Sequence, residues 1–307
     1  MALNDHFDAL VLSLGLLLSA LVGLVSALVG IVLSSFAPRT TLINFSSILI
    51  TGASAGIGKA LAVAYAQDGR TLFLTGRNRE RLIETQRECE AKGAQVEITT
   101  IDVSDEQAFS KWVEEADKRK PIDLLIANAG TSGSILGTSR TADLKIREMF
   151  AINVDGVLNT LLPVFTNMRD RRRGHIVVVS SLSGLFDVPT SVGYSATKAA
   201  VFQFTTFLRE VMRPHNVRVS VVCPGYVDSN MTRARRSLGS KMPFFMSTDA
   251  AIKIITQGID ENRGVIAFPL PMYLIAWFFR SLPPSVSDFI FKLINPTKKL
   301  ESWNSLS

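Results

Sequence analysis

Tyr194 and Lys198 stand four residues apart in the segment GYSATKAA. On a helix that spacing stacks a phenol over an ammonium one turn away. A phenol is a poor acid at neutral pH, with an ordinary pKa of about 10, and a nearby cation lowers it. The pair therefore has the chemistry of a proton donor with a tuning partner, although Tyr-x-x-x-Lys also occurs by chance on many helix faces. Ser181 lies thirteen residues before Tyr194, at the end of the apolar run GHIVVVSSLSG. Serines after a strand usually serve only as turn formers. A hydroxyl beside a phenol would be the donor set that a developing oxyanion needs: one group to hold the oxygen and one to protonate it.

These groups need elements to position them. The run GHIVVVSS reads as a strand buried on both faces. Further upstream, SSILITGASAGIGKALAVAYAQDG begins at Ser46. Ile48–Ile50 reads as a buried strand, and a helical pattern follows through Ala66. Between them lie Gly52, Gly56 and Gly58. Glycines between a strand and a helix let the backbone approach a pyrophosphate seated at the helix N-terminus. The spacing Thr51-Gly52-x-x-x-Gly56-x-Gly58 resembles the fingerprint of the short-chain dehydrogenase/reductase family, and the resemblance covers roughly residues 46–268.

The resemblance implies an α/β fold: a single-domain Rossmann fold with a doubly wound, seven-stranded parallel sheet. It implies that Gly52, Ser54, Gly56, Ile57 and Gly58 form the nucleotide turn. At the end of the second strand, TLFLTGRN, Gly76 occupies the place of the acidic residue that holds the ribose of NAD, and Arg77 follows. A carboxylate there would repel a 2′-phosphate, whereas a guanidinium pairs with it, so NADP(H) is the expected cofactor. Some NADP-preferring relatives carry a second basic residue inside the glycine turn; here that place is Ala55. Asp102 and Val103, expected at the end of the third strand, match the adenine-holding position. Asn128, Ala129 and Gly130 match the Asn-Ala-Gly motif that supports sheet and cofactor channel. Asn153, within a long predicted helix, matches the catalytic Asn that holds a water beside the lysine. Ser181 would polarise the substrate carbonyl. Tyr194 would donate the proton, and Lys198 would lower the phenol pKa and bind the nicotinamide ribose. Pro224 and Gly225 match the motif beside the nicotinamide, with Val227 next in that strand–loop, and Ser229 keeps a hydroxyl where relatives often carry Thr.

Ahead of this domain, Ala9–Leu33 is 25 residues without a charge. As a helix it spans roughly 37 Å, against a hydrocarbon core of about 30 Å. The leader MALNDHF has no Lys or Arg, and the run exceeds a typical signal-peptide core. The expectation is a leader over 1–8, a single-pass transmembrane helix over 9–35, and a short linker over 36–45. Basic residues only after the helix place the body on the cytoplasmic side, in an ER or bacterial inner membrane. Gly15, Ser19, Gly23 and Ala27 recur every four residues, a spacing that allows close helix pairing, with a homo-oligomer as one outcome. Residues 226–248 are the expected substrate lid, mixing Arg233, Arg235, Arg236 and Lys241 with Pro243, Phe244, Phe245 and Met246. The mixture suits an acyl chain with an anionic head, contact with anionic lipid, or simply a solvated loop. Residues 269–307 form an apolar C-terminal segment in which Met272–Phe279 is too short to span a bilayer. It is expected at the membrane interface, the substrate entrance or a partner contact, with burial in the core as the plain alternative.

The chain has 307 residues, 47% hydrophobic and 20% charged, with a formal charge of +6 and two cysteines, Cys89 and Cys223. Its mean hydropathy is positive. Two cysteines build neither a zinc site nor a disulfide framework, and no metal is expected. No basic stripe interleaved with aromatics is present, which argues against nucleic acid as a partner. The expected function is a membrane-anchored NADPH-dependent reduction of a lipid-like ketone or aldehyde. The family spans 3-ketosphingoid, long-chain ketoacyl, acyl-dihydroxyacetone phosphate, steroid and retinoid substrates. The alternatives are action on a sugar or polyprenol-linked intermediate of envelope polysaccharide assembly, and a non-catalytic NADP(H)-binding membrane scaffold.

Overall fold

Strands and helices alternate from Ser47 to the end of the sheet, as βα repeats require. The computed structural model describes Ser13, Gly15, Leu21, Gly23 and residues 44–132, 142–186, 192–237, 242–283, 285–287 and 289–290. The elements are β1 (Ser47–Ile50), α1 (Gly56–Tyr65), β2 (Thr71–Thr75), α2 (Arg79–Glu90), β3 (Gln95–Thr99), α3 (Glu106–Arg119) and β4 (Leu124–Ala127). Then come α4 (Ala142–Phe150), a π-helical turn (Ala151–Asp155), α5 (Gly156–Asp170), β5 (His175–Val179), α6 (Val192–Met212) and β6 (Arg218–Pro224). The last are α7 (Asn230–Ser237), α8 (Thr248–Asp260), β7 (Val265–Phe268) and α9 (Leu270–Ser281).

All seven strands lie in one parallel sheet, ordered β3-β2-β1-β4-β5-β6-β7. This is the Rossmann arrangement expected from the sequence. Successive strand residues feed opposite layers, because side chains alternate across a sheet. Ile48 and Ile50 join Leu61, Leu82 and Ile255 on one face; Leu49 joins Phe109, Leu161 and Val201 on the other. The continuous apolar strands, uniformly buried in β1, β2, β4 and β5, are what two covered faces demand. Strand order reverses between β1 and β4, and such a switch point opens a crevice at the carboxyl ends of the strands.

Two local features differ from expectation. β3 stops at Thr99, so Asp102 and Val103 lie in the loop beyond it. There Asp102 Oδ1 accepts the Ser104 N–H at 2.9 Å and the Ser104 hydroxyl at 2.7 Å, a side-chain-closed turn that ends the extended backbone. Asn153 sits in the π-helical turn and not in an unbroken α-helix. Such turns insert one residue into the helical ladder and occur often at functional sites.

The chain divides into two compact units, Thr40–Met272 and the remainder, Met1–Arg39 with Tyr273–Ser307. In the second unit, Ser13, Gly15, Leu21 and Gly23 are helical. The rest of the expected membrane helix and the linker through residue 43 lie outside the described residues. A Cβ on Gly23 would stand 3.0 Å from the Trp277 ring, and one on Gly15 would stand 3.7 Å from Val286. Two members of the small-residue row therefore meet the chain's own C-terminal segment. Among the described residues, one helical run, Asp143–Asp170, is long and apolar enough to cross a membrane. Half of its most apolar window is buried and α5 packs on α3, so it behaves as a core helix of the domain.

Candidate active site

A cavity of about 630 Å³ opens at the carboxyl ends of the strands. Of the residues singled out in the sequence, Ser54, Ile57, Arg77, Asp102, Val103, Ser181, Tyr194, Lys198, Pro224, Val227 and Ser229 line it. Gly52, Gly56, Gly225 and the run Asn128, Ala129 and Gly130 line it too. Gly58 and Asn153 do not. Gly58 lies behind the turn, where a Cβ would come 2.3 Å from the Gly52 carbonyl oxygen, so only glycine lets α1 start this close to β1. Asn128 Nδ2 donates to the Thr51 carbonyl at 2.9 Å, and the Thr51 hydroxyl accepts the N–H groups of Asn128 and Ala129. The Asn-Ala-Gly segment thus braces the glycine turn.

At the other end, α6 carries Tyr194 and Lys198 on one face, the phenol half-buried and the ammonium buried. Lys198 Nζ donates to the Val179 carbonyl at 2.9 Å and lies 5.8 Å from the centre of the Tyr194 ring. Burial lowers the lysine pKa to about 8, which leaves it mostly charged at neutral pH. The two serines that follow β5 divide their work. Ser180 Oγ donates to the Lys198 carbonyl at 2.7 Å and ties the strand to α6. Ser181 Oγ faces the cavity, accepts the Ser183 N–H at 3.1 Å and lies 3.3 Å from the Ser183 hydroxyl. Asn153 is fully buried behind this corner. Its Oδ1 accepts the Thr131 N–H at 2.8 Å, and its Nδ2 donates to the Thr131 carbonyl at 2.9 Å and the Thr197 hydroxyl at 3.0 Å.

The short chain dehydrogenase sequence profile matches residues 46–238, the stretch that builds this cavity. The chain belongs to the short-chain dehydrogenase family. Similar proteins include an uncharacterized oxidoreductase of Myxococcus xanthus, 32% identical over 80% of this chain and 96% of that protein. A 3-oxoacyl-[acyl-carrier-protein] reductase of Thermotoga maritima is 33% identical over 71% of this chain and 92% of that protein. Among solved structures, a short-chain dehydrogenase from Sphingobium yanoikuyae in complex with NADPH superposes with a TM-score of 0.65. It is 28% identical, and the match covers 73% of this chain and 88% of that one.

At the β2 end of this short-chain dehydrogenase's cavity, Gly76 is pressed against the glycine turn. A Cβ there would stand 2.8 Å from Ser54 Cβ and 3.1 Å from its backbone nitrogen, so the place has no room for a carboxylate side chain. Arg77 lines the cavity just beyond, and so does Arg81, which the sequence did not single out. Both are exposed. Arg81 lies in the first turn of α2, four residues after Arg77, and its N–H caps onto Asn78 Oδ1 at 2.8 Å. A helix N-terminus with two guanidiniums favours an anion.

Leu182 and Phe186, which the sequence passed over, join Met231 of the expected lid and Met272 of the expected entrance segment in an apolar wall at the Tyr194 end. The lid's cations do not add to it. Arg233 forms a two-pronged pair with Asp228 at 2.7 and 3.1 Å, and the Arg236 guanidinium lies 5.3 Å from the centre of the Phe245 ring. Neither lines the cavity; Lys241 and the Arg235 side chain lie outside the described residues. Among the described residues, no cluster of His, Cys, Asp and Glu has metal-binding proximity.

Proposed function

We propose that this chain is a membrane-anchored, NADPH-dependent reductase that converts the ketone or aldehyde of a lipid-like molecule to the alcohol. One observation carries the reading: a single cavity has Arg77 and Arg81 at one end and Ser181, Tyr194 and Lys198 at the other, beside an apolar wall. Its volume, its glycine turn and the exclusion of a carboxylate at Gly76 fit NADP(H). The NADPH complex of the Sphingobium relative supports the same choice.

When bound, the cofactor supplies a hydride for the carbonyl carbon. The protein's own residues manage the oxygen. Ser181 Oγ donates a hydrogen bond to it and polarises the carbonyl, most strongly when charge has developed. Tyr194 Oη gives the proton that completes the hydroxyl and takes it back in the oxidative direction. The Lys198 charge stabilises the phenolate left behind and would hold the ribose at the nicotinamide end of the cofactor. Asn153 fixes the floor of this corner, through which solvent restores the proton.

Leu182, Phe186, Met231 and Met272 suit an alkyl or fused-ring body next to the reacting carbonyl. The name of the Thermotoga relative supports a ketoacyl compound among such substrates. The charge-free Ala9–Leu33 supports a membrane anchor, with the domain on the cytoplasmic side. Exposed Met231, Phe244, Phe245 and Leu270 support delivery from the bilayer. Exposed Phe204, Phe207 and Val211 on α6 support a homo-oligomer. The test is NADPH oxidation by the full chain in detergent, followed by absorbance, against long-chain 3-ketones, steroids, retinoids and short ketones. Turnover that rises with apolar chain length bears the proposal out. Tight NADPH binding with no carbonyl reduced would instead mark a scaffold.

A further inference from the structure

Thr197 sits inside the turn that separates Tyr194 from Lys198. It is completely buried and does not line the cavity. Its hydroxyl donates to the Tyr194 carbonyl at 2.8 Å and accepts from Asn153 Nδ2 at 3.0 Å. The first bond is ordinary, since helical threonines often bond back to the preceding turn. Thr160 and Thr205, equally buried, make such a bond to Gly156 and Val201. The second bond sets Thr197 apart, because it comes from a residue 44 positions away in the chain.

That bond completes a closed chain of contacts. Both donors of the Asn153 amide are committed, one to the Thr131 carbonyl and one to Thr197. A point one Cβ bond from Gly130 lies 3.1 Å from Asn153 Oδ1 and 3.3 Å from Lys198 Nζ, so these two groups converge on the same spot. The π-helical turn, the loop after β4 and the start of α6 are thus joined through the Asn153 amide and the Thr197 hydroxyl.

We propose that Thr197 is a positioning residue: it locks the backbone of Tyr194 to Asn153, so that the phenol and the Lys198 ammonium hold one mutual geometry before substrate arrives. The role rests on Tyr194 being the proton donor, and misplacement by about 1 Å costs up to about 100-fold in rate.

Thr197→Val keeps the volume and removes both bonds; Thr197→Ser keeps both. The Val variant is expected to lose about 10- to 100-fold in kcat, with the KM for NADPH within about twofold of the parent and the pH profile of kcat displaced. The Ser variant is expected to recover to within about threefold, and Thr205→Val to leave kcat unchanged. A parental kcat and pH profile in Thr197→Val overturns the inference. So do equal losses of kcat and NADPH affinity, which mark general loosening. A readout independent of turnover separates this from the proposed function. Tyr194 phenolate absorbance, isolated by subtracting each Tyr194→Phe spectrum, should titrate at higher pH in Thr197→Val than in the parent. An unmoved titration sinks the positioning role even if Tyr194 is the donor. A moved titration with full activity in Tyr194→Phe sinks the proton-donor reading and leaves the lock standing.

Discussion

The two ends of the cavity are built on opposite principles. At the catalytic corner, Asn153, Thr197 and Lys198 are buried, and each polar group is held by a named partner. At the β2 end, Arg77 and Arg81 stand exposed at the start of a helix. The difference suits the tasks proposed for the two ends. Stabilising charge that appears only during reaction requires dipoles already in place, since reorganising them would add to the barrier. Recognising a charge that is always present needs only opposite charge within reach, and long side chains settle when the ligand arrives.

Four measurements sharpen or break this contrast. Tyr194→Phe should lower kcat by about 10³-fold or more while NADPH binding, measured by fluorescence titration, stays nearly intact; a parental rate would remove the proton donor from the mechanism. Next comes the buried ammonium. The folded pKa of Lys198 is about 8, below the value of about 10.4 in an unfolded chain. Below pH 8 both states carry the proton, and burying the charge costs roughly 3 kcal/mol. As pH rises from 8 towards 10.4 the folded state releases its proton first, so this cost disappears and stability gains. Lys198→Met should therefore be inactive yet at least as resistant to urea at pH 7, with its advantage gone near pH 10. A variant markedly weaker at pH 7 would show that the bond to Val179 outweighs the burial.

At the exposed end the effects are smaller and fall on binding alone. Arg77→Ala should weaken NADPH by about 30- to 100-fold and NADH by less than about threefold, with no change in the urea midpoint. Equal losses for both cofactors would mean that the guanidinium does not read the 2′-phosphate. Arg81→Ala should show the same selectivity at about three- to tenfold, because its charge is farther along the helix. A full-sized effect there would make Arg81, not Arg77, the main reader.

The legible part of this molecule was the part written locally. The glycine turn and Arg77 need only one strand–turn to be recognised and the Tyr194–Lys198 spacing only one helix, and the family resemblance that these residues carry together with Ser181 implies the doubly wound sheet. What escaped depends on distant partners or on phase. Arg81 lies in RERLIETQRECEAKG, where charges read as a solvated helix face. Thr197 gains its meaning only from Asn153, and the π-helical turn that aims Asn153 has no propensity signal in AINVD. The family resemblance implies Asp102 at the end of β3, but its own carboxylate closes a turn on Ser104 instead. The small-residue row in the N-terminal helix allows close packing without naming an occupant, and Gly23 and Gly15 lie against Trp277 and Val286 of the chain's own C-terminal segment.

The contact between Gly76 and Ser54 has a consequence for how this enzyme's cofactor use changes over generations. Acquiring a carboxylate at position 76 is the step that would reward NADH, but Ser54 stands where its Cβ must go. Shrinking Ser54 first gives no selective gain by itself. The mutational path between the two cofactors therefore crosses a neutral or costly intermediate, and the order of the two substitutions matters.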